Sequence, residues 1–430
     1  MKKLLIAIAG VFLICAAVRA ETWTLPGYLG AVFKASDDIK VAEEDVDLAK
    51  NNYISSLAGF YLPNVTLSAY NSPYSVYNVP KWQMKNANTS AGASANLNLF
   101  NNFKDKLGLD SSRLDRTAAE SRLWAERQRV TRDSLTVYYN VLRYKLLLAV
   151  VRSSLKSYEE QYGKVQQYYK EGLKSYSDVL KSELNYRSSQ LEEVTSLEKH
   201  KNAIMQFNLS IYKDPETDIE LEDIVEQSTA ALPGLEDGVS YAVKNRVEMR
   251  LAENLLKRQE IARTGAFIGW LPDLSLDAAY NRQGLGNLGK LAALTANPTY
   301  SLMLSLSLPV GPATFSDRRD YIAAGIGLER ARRAVHNLGL EIKKEVISAY
   351  LAFSTTLKRY EVSRMKADIS KQNLELVTAR YGEGRAGIIE LADAQNDNLS
   401  SQSDLANAFY DLLLARSDYD KAAGRQLWRE

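Results

Sequence analysis

Cysteine, histidine and proline are all scarce in this 430-residue chain, at one, two and ten residues. So few Cys and His leave no Cys/His zinc cluster and no disulfide framework. No metal site and no cofactor are expected. Charge of one sign is missing too: Lys and Arg number 54 against 52 Asp and Glu. A nucleic-acid binder would carry a clear basic excess, so no nucleic-acid partner is expected. Hydropathy is slightly polar overall, which excludes a bundle of membrane helices. The motifs G-x-S-x-G, Walker A and H-E-x-x-H are absent, and His200 and His336 stand alone in charged, helical contexts. The chain does not read as an enzyme.

The first twenty residues have the order of a secretory leader. Met1-Lys2-Lys3 is basic, Leu4 to Cys15 is apolar but short for a membrane span, and Val18-Arg19-Ala20 ends on a small residue. Cleavage before Glu21 is expected. Ile14 precedes Cys15 where lipoprotein processing wants a small residue, so Cys15 is not read as a lipid anchor. Removing Lys2, Lys3 and Arg19 leaves a nearly neutral, cysteine-free chain.

The few prolines are unevenly placed. None lies between Pro80 and Pro215, and none follows Pro312. These two stretches are rich in Leu, Glu, Lys, Arg, Gln and Ala, which predicts very long helices. Phe103 to Tyr169 would span about 100 Å at 1.5 Å per residue. In the second stretch Leu328, Ala331, Val335, Leu338, Ile342, Val346, Ala349, Phe353, Leu357 and Tyr360 step by three or four, as in a coiled-coil seam.

The chain also contains itself twice. Tyr61-Leu62-Pro63-Asn64-Val65-Thr66-Leu67 returns as Trp270-Leu271-Pro272-Asp273-Leu274-Ser275-Leu276, and Leu97-Asn98-Leu99 as Leu306-Ser307-Leu308, both 209 residues on. Phe103-Lys104-Asp105 returns as Phe315-Ser316-Asp317, and Tyr169-Lys170-Glu171-Gly172 as Tyr381-Gly382-Glu383-Gly384, at an offset of 212. A small insertion around Gly311 to Thr314 accounts for the change. The expected organisation is a leader (1–20), a first repeat (21–213), an inter-repeat segment (214–236) and a second repeat (237–430).

Each repeat holds two segments that alternate with period two, the mark of a strand with one apolar face. Strands are expected near 64–76, 88–100, 272–282 and 299–309. Leu302, Leu304, Leu306 and Leu308 oppose Ser301, Met303, Ser305 and Ser307. Ala91, Ala93, Ala95, Leu97 and Leu99 oppose Gly92, Ser94, Asn96 and Asn98. Ten-residue segments, apolar on one face and small-polar on the other, match strands of a transmembrane β-barrel. Four such strands cannot close, and an open edge in lipid leaves backbone groups unpaired. Several chains must therefore share one barrel: two would supply eight strands, three twelve. The connections 71–88 and 281–298 are expected as exterior loops, with Tyr61, Trp82 and Trp270 near the membrane–water interfaces.

A leader, a duplicated helix–strand–strand–helix unit, two Leu-Pro strand starts and two Tyr-x-x-Gly breaks resemble the TolC family of outer-membrane efflux proteins, across about Glu21 to Gly424. The most specific pieces are Tyr169-x-x-Gly172 with Tyr176-Ser177-Asp178-Val179-Leu180, and Tyr381-x-x-Gly384 with Ile388-Ile389-Glu390-Leu391-Ala392-Asp393-Ala394. The resemblance implies a mixed α and β membrane protein: a homotrimer whose 12-stranded barrel in outer-membrane lipid continues as a long periplasmic α-helical barrel. It implies a Gram-negative outer-membrane location and two partners, a periplasmic adaptor (membrane fusion) protein and an inner-membrane RND or ABC-type transporter. The implied function is the exit duct of a tripartite efflux pump. The alternatives are a duct for type I protein secretion or, from another class, a non-conducting periplasmic scaffold. It further implies that Glu390 and Asp393 ring a constricted entrance at the second hairpin tip, where a carboxylate ring would concentrate cations. The first tip carries Asp178 and Lys181 instead. Tyr169, Gly172, Tyr381, Gly384 and Arg385 are the candidate adaptor contacts. Ala386 stands where the family's best-known member carries a basic residue, with Arg385 one place earlier.

Overall fold

The computed structural model describes residues 21–72, 75–78, 83–85, 88–224, 234–269, 271–285, 297–308 and 312–428. The expected leader, Trp82 and Trp270 lie outside them. Helices dominate. In the first repeat α1 (Leu25–Ala35) and α2 (Asp37–Tyr61) lead to strands, then to α3 (Lys104–Lys170) and α4 (Tyr176–Ser210). In the second, α5 (Leu235–Asn245) and α6 (Val247–Ile268) lead to strands, then to α7 (Pro312–Gly382) and α8 (Ile388–Ala422). The same succession of elements thus occurs twice.

Local chemistry sets the boundaries. The Thr24 hydroxyl accepts from the Gly27 amide at 3.2 Å to start α1, and Ser36 caps α2 in the same way. Pro63 holds Leu62 in extended geometry, φ −110° and ψ 145°, which stops α2 and begins the strand.

Four strands form one antiparallel sheet in the order β2 (Asn64–Ser72), β5 (Asn88–Asn101), β7 (Asp273–Leu285) and β8 (Thr299–Ser307). The connection 71–88, expected as a loop, carries a small hairpin of its own, β3 (Ser75–Asn78) paired with β4 (Gln83–Lys85). Beside the middle of α3, where the Tyr138 hydroxyl reaches the Trp23 carbonyl at 3.2 Å, β1 (Glu21–Trp23) pairs in parallel with β6 (Ile219–Leu221). That pairing ties the start of the described chain to the segment between the repeats.

Directly opposed residues of an antiparallel pair share a face. Val65 faces Ala95, Leu67 faces Ala93, Ala95 faces Ala278, Leu276 faces Leu304 and Ala278 faces Leu302. The four alternations are therefore in phase, and one side of the sheet is apolar. One position departs from simple alternation. Register shifts between Asn98 and Phe100, so Phe100 rather than Leu99 opposes Leu274. This is a β-bulge; Leu99, expected on the apolar face, is the extra residue.

The helices pack as a layer. α3 and α7 run its whole length. On the strand side the neighbours follow the order α2, α3, α6, α7, and on the hairpin side α4, α3, α8, α7. Packing is distributed along this layer in separate clusters. The coiled-coil seam expected on α7 is present: Leu328, Ala331, Ile342, Val346, Phe353 and Tyr360 are buried. From Ile342 onward they lie against Ala408, Leu412 and Tyr419 of α8, with Ala242 of α5 alongside. Each fully buried aliphatic or aromatic side chain there contributes about 1.5–3 kcal/mol. Around β1 and β6, Tyr28 stacks on Phe207 at 4.3 Å beside Tyr138.

The chain's last described residues fold back onto the first repeat. Gln128 of α3 donates to the Arg425 carbonyl at 2.5 Å and accepts from the Leu427 amide at 3.2 Å. Buried Trp428 sits between Phe33 and Trp124, at 5.9 and 5.7 Å between ring centres.

Candidate functional site

Both hairpin tips end their first helix in the same way. Gly172 and Gly384 each adopt φ +75°. Around them the Leu173 amide donates to the Tyr168 carbonyl, and Arg385 to Arg380, both at 2.8 Å. This is the left-handed termination that glycine favours, because other residues clash there. An added Cβ would meet nothing within 4 Å at either glycine, so backbone angle and not space demands Gly.

The next helices start differently. Ser175 and Asp178 form a reciprocal capping box: the Asp178 amide donates to the Ser175 hydroxyl at 3.2 Å, and the Ser175 amide to the Asp178 carboxylate at 3.1 Å. Asp178 is thus committed to starting α4. Gly387 opens α8 with no side-chain cap, and Glu390 lies in the first helical turn. There its carboxylate accepts from Arg380 Nη1 at 2.7 Å. Arg380 Nη2 also donates to the Arg385 carbonyl at 3.5 Å. The two acids that sequence places together on one face therefore differ. Glu390 is held by a cation of its own hairpin, while exposed Asp393 has no bonded partner among the described residues. Arg385 pairs with Glu383 at 3.2 Å, and Lys181 is exposed.

The tip tyrosines have also diverged. Tyr169 is exposed and lies 5.7 Å from the Tyr176 ring. Tyr381 is only 4% exposed and belongs to a cluster with Val165, Val179, Val377, Ile388 and Leu391, which joins the two hairpins. The expectation that Tyr381 offers a surface contact is corrected: its ring is interior. Burial and then the Asp178 carboxylate push its phenol above the ordinary range. Ala386 is buried in the same cluster, which explains the absence of a basic side chain at that position. Tyr61, at the end of α2, is largely exposed where the chain enters β2.

The contact between hairpins is polar over much of its length. Arg132 of α3 donates to both oxygens of Asp418 of α8, at 2.6 and 3.0 Å. Arg143 reaches Asp411 at 2.6 Å, Tyr158 bonds Asn396 at 2.7 Å, and Gln395 bonds Ser157 at 3.1 Å. Sequence carried no signal for these partners, which are 238 to 286 residues apart.

Among the described residues no group of His, Cys, Asp and Glu could hold a metal ion, and no helix is long and apolar enough to cross a membrane. The arrangement is two long hairpins, joined by a polar seam and an apolar tip cluster, below a one-face-apolar sheet.

Residues 31–206 and 239–425, one segment in each repeat, match the outer membrane efflux protein family. The chain belongs to this family, the TolC family. Its relatives include outer membrane protein TolC of Vibrio cholerae, 24% identical over 86% of this chain and 84% of that one. TolC of Escherichia coli is 21% identical over 70% of this chain and 62% of its own length. Among solved structures, CusC superposes with a TM-score of 0.81 at 15% identity, covering 94% of this chain and 92% of that one. The Campylobacter jejuni CmeC outer membrane channel gives 0.79 at 17% identity, covering 93% and 85%. At these identities the structural likeness establishes a shared fold.

Proposed function

We propose that three copies of this outer membrane efflux protein assemble into one continuous duct. A 12-stranded barrel in the outer membrane would open into a helical tube across the periplasm. The observation that carries this reading is the open sheet. Its edge strands β2 and β8 are each nine residues long and, among the described residues, lack an outer neighbour. Lipid does not tolerate such edges, and four strands cannot close on themselves. Pairing β8 of one copy with β2 of the next removes every edge and turns the in-phase apolar faces outward.

The helical layer supports the same closure. Its flanking helices expose apolar stripes: Leu180, Leu184, Leu191 and Val194 on α4, and Leu351, Val362, Met365 and Ile369 on α7. A ring of copies brings these flanks together. The substrate path would run inside the tube. Asp393, with Glu390 behind its Arg380 partner, would face the constricted entrance. Tyr169, Gly172, Gly384 and Arg385 lie at the exposed tips, where a periplasmic adaptor would dock. An inner-membrane RND or ABC-type transporter would supply the energy. As a proposal of the same kind, residues 1–20 are a cleaved leader.

Purified protein in planar bilayers tests the reading. Discrete ion conductance from a species of three copies is the expected result. Correctly folded trimers without conductance would exclude the duct.

A further inference from the structure

The polar side of the four-stranded sheet is built mainly from Ser, Thr, Asn and Gly, with Tyr70, Ala279, Gln283, Leu285 and Met303 among them. Two carboxylates interrupt it, Asp273 and Asp277, both on β7 and four residues apart. They therefore share a face. Asp273, at the strand's start, has a cation opposite: Lys104 lies 3.5 Å away. Asp277 has none among the described residues.

Asp277 is instead held by neutral donors. Asn96, its register partner on β5, donates to Oδ1 at 2.5 Å, and the Ser275 hydroxyl donates to Oδ2 at 3.1 Å. On the other side its register partner is Met303. Both carboxylate oxygens are thus fixed in position by groups that carry no charge. Four residues into the strand, Asp277 lies about 13 Å from its start at roughly 3.3 Å per residue. In strands tilted by about 35–45° this is about 10 Å up the roughly 25 Å apolar band of an outer-membrane barrel.

We propose that Asp277 sets the ion preference of the barrel. Resting on the trimeric-duct reading, three copies form a ring of fixed negative charge inside the barrel, in a lumen lined mainly by hydroxyls and amides. Cations are concentrated there and anions depleted, at a place far from the hairpin tips. The ring attracts through water and binds no ion in a built cage, so its effect falls with salt as the screening length shortens.

Reversal potentials in salt gradients test this on full-length trimers. Asp277→Asn keeps the shape and removes the charge; its amide oxygen still accepts from Asn96, and its amide nitrogen donates to the Ser275 hydroxyl in place of accepting from it. The cation-to-anion permeability ratio should fall by about threefold in 0.1 M salt and hardly change in 1 M salt. A role confined to strand pairing would alter thermal stability and leave the ratio alone. Cys15, in the expected leader, is the chain's sole cysteine, so Asp277→Cys provides a second, in situ test. An anionic, membrane-impermeant thiosulfonate should react with it and restore the wild-type ratio. Leu276→Cys, on the lipid-facing side, should stay unreactive. Conducting trimers whose ratio ignores Asp277→Asn, or ignores the anionic label on Asp277→Cys, overturn the proposal alone. Wild-type trimers that pass no current overturn the duct reading with it.

Discussion

The Lys174 ammonium, in the turn of the first hairpin, lies 4.6 Å from the ring centre of Tyr381 in the second. It is a direct link between the repeats at the tip, from a turn lysine to a buried ring of α7. A cation over an aromatic face is worth about 0.5–1 kcal/mol at an exposed site. Lys174→Met keeps a comparable apolar stem and removes the charge. Amide exchange at Gly384 to Ile388 should then speed up by about two- to fivefold, as read by mass spectrometry. Unchanged exchange would mean that the apolar tip cluster alone holds the hairpins together.

The glycine terminations differ from glycines inside helices. Gly384→Ala places a Cβ at φ +75° and should destabilise by about 1 kcal/mol. Gly163, within α3 and with open space around it, should respond in the opposite sense: Gly163→Ala stabilises by roughly 0.5–1 kcal/mol. Thermal melts of the two variants, read side by side, give shifts of opposite sign if backbone angle is the cause.

The acids at the second tip should be unequal. Glu390 is bound to Arg380, whereas Asp393 is exposed and unbonded among the described residues. If divalent cations block the conductance from this end, Asp393→Asn should relieve that block more than Glu390→Gln. The ranking is read from block curves of the two variants. Equal relief, or none, counts against a ring built on Asp393.

His200, on α4 where that helix packs on α3, gives acid sensitivity to the first hairpin. Its Nδ1 is buried without a hydrogen-bond partner among the described residues. Burial, and then Lys145, hold its pKa below the ordinary 6.5. At higher pH the imidazole is neutral in both folded and unfolded chains and adds no pH dependence. As pH falls through 6.5, the unfolded chain takes up a proton that the folded one resists, so stability declines. His200→Gln should lose less melting temperature between pH 7 and pH 5 than the parent. A parallel decline in both proteins would remove His200 from the account.

The returning C-terminal segment should matter for stability. Trp428→Ala empties the space between Phe33 and Trp124 and should cost about 3–5 kcal/mol. Gln128→Ala, which leaves the bonds to Arg425 and Leu427 unmade, should cost about 1–3 kcal/mol. Chemical denaturation of both variants checks the order.

Much of this molecule was legible in the chain because its signals are local or periodic. Glycine at the two tips is demanded by a backbone angle that the nearest residues impose. The apolar step of three or four along α7 and the step of two along β8 register where each side chain points, whatever lies opposite. Pro63 ends a helix by steric effects on its immediate neighbour. The duplication is visible because Leu-Pro and Tyr-x-x-Gly recur at nearly constant spacing.

Only the tertiary structure decided which partners meet. Glu390 and Asp393 look alike in sequence, yet Arg380, ten residues before Glu390, binds one and not the other. Tyr169 and Tyr381 occupy equivalent positions, yet one is exposed and the other buried, because the second tip packs inward on the first. The bulge at Leu99 depends on the pairing of β5 with β7, far along the chain. The same holds for the polar seam between α3 and α8 and for the seating of Trp428. Periodicity tells a side chain which way to face; what it faces is settled only when distant segments pack, since hydrogen bonds and ion pairs act over a few ångströms of space and carry no memory of sequence separation.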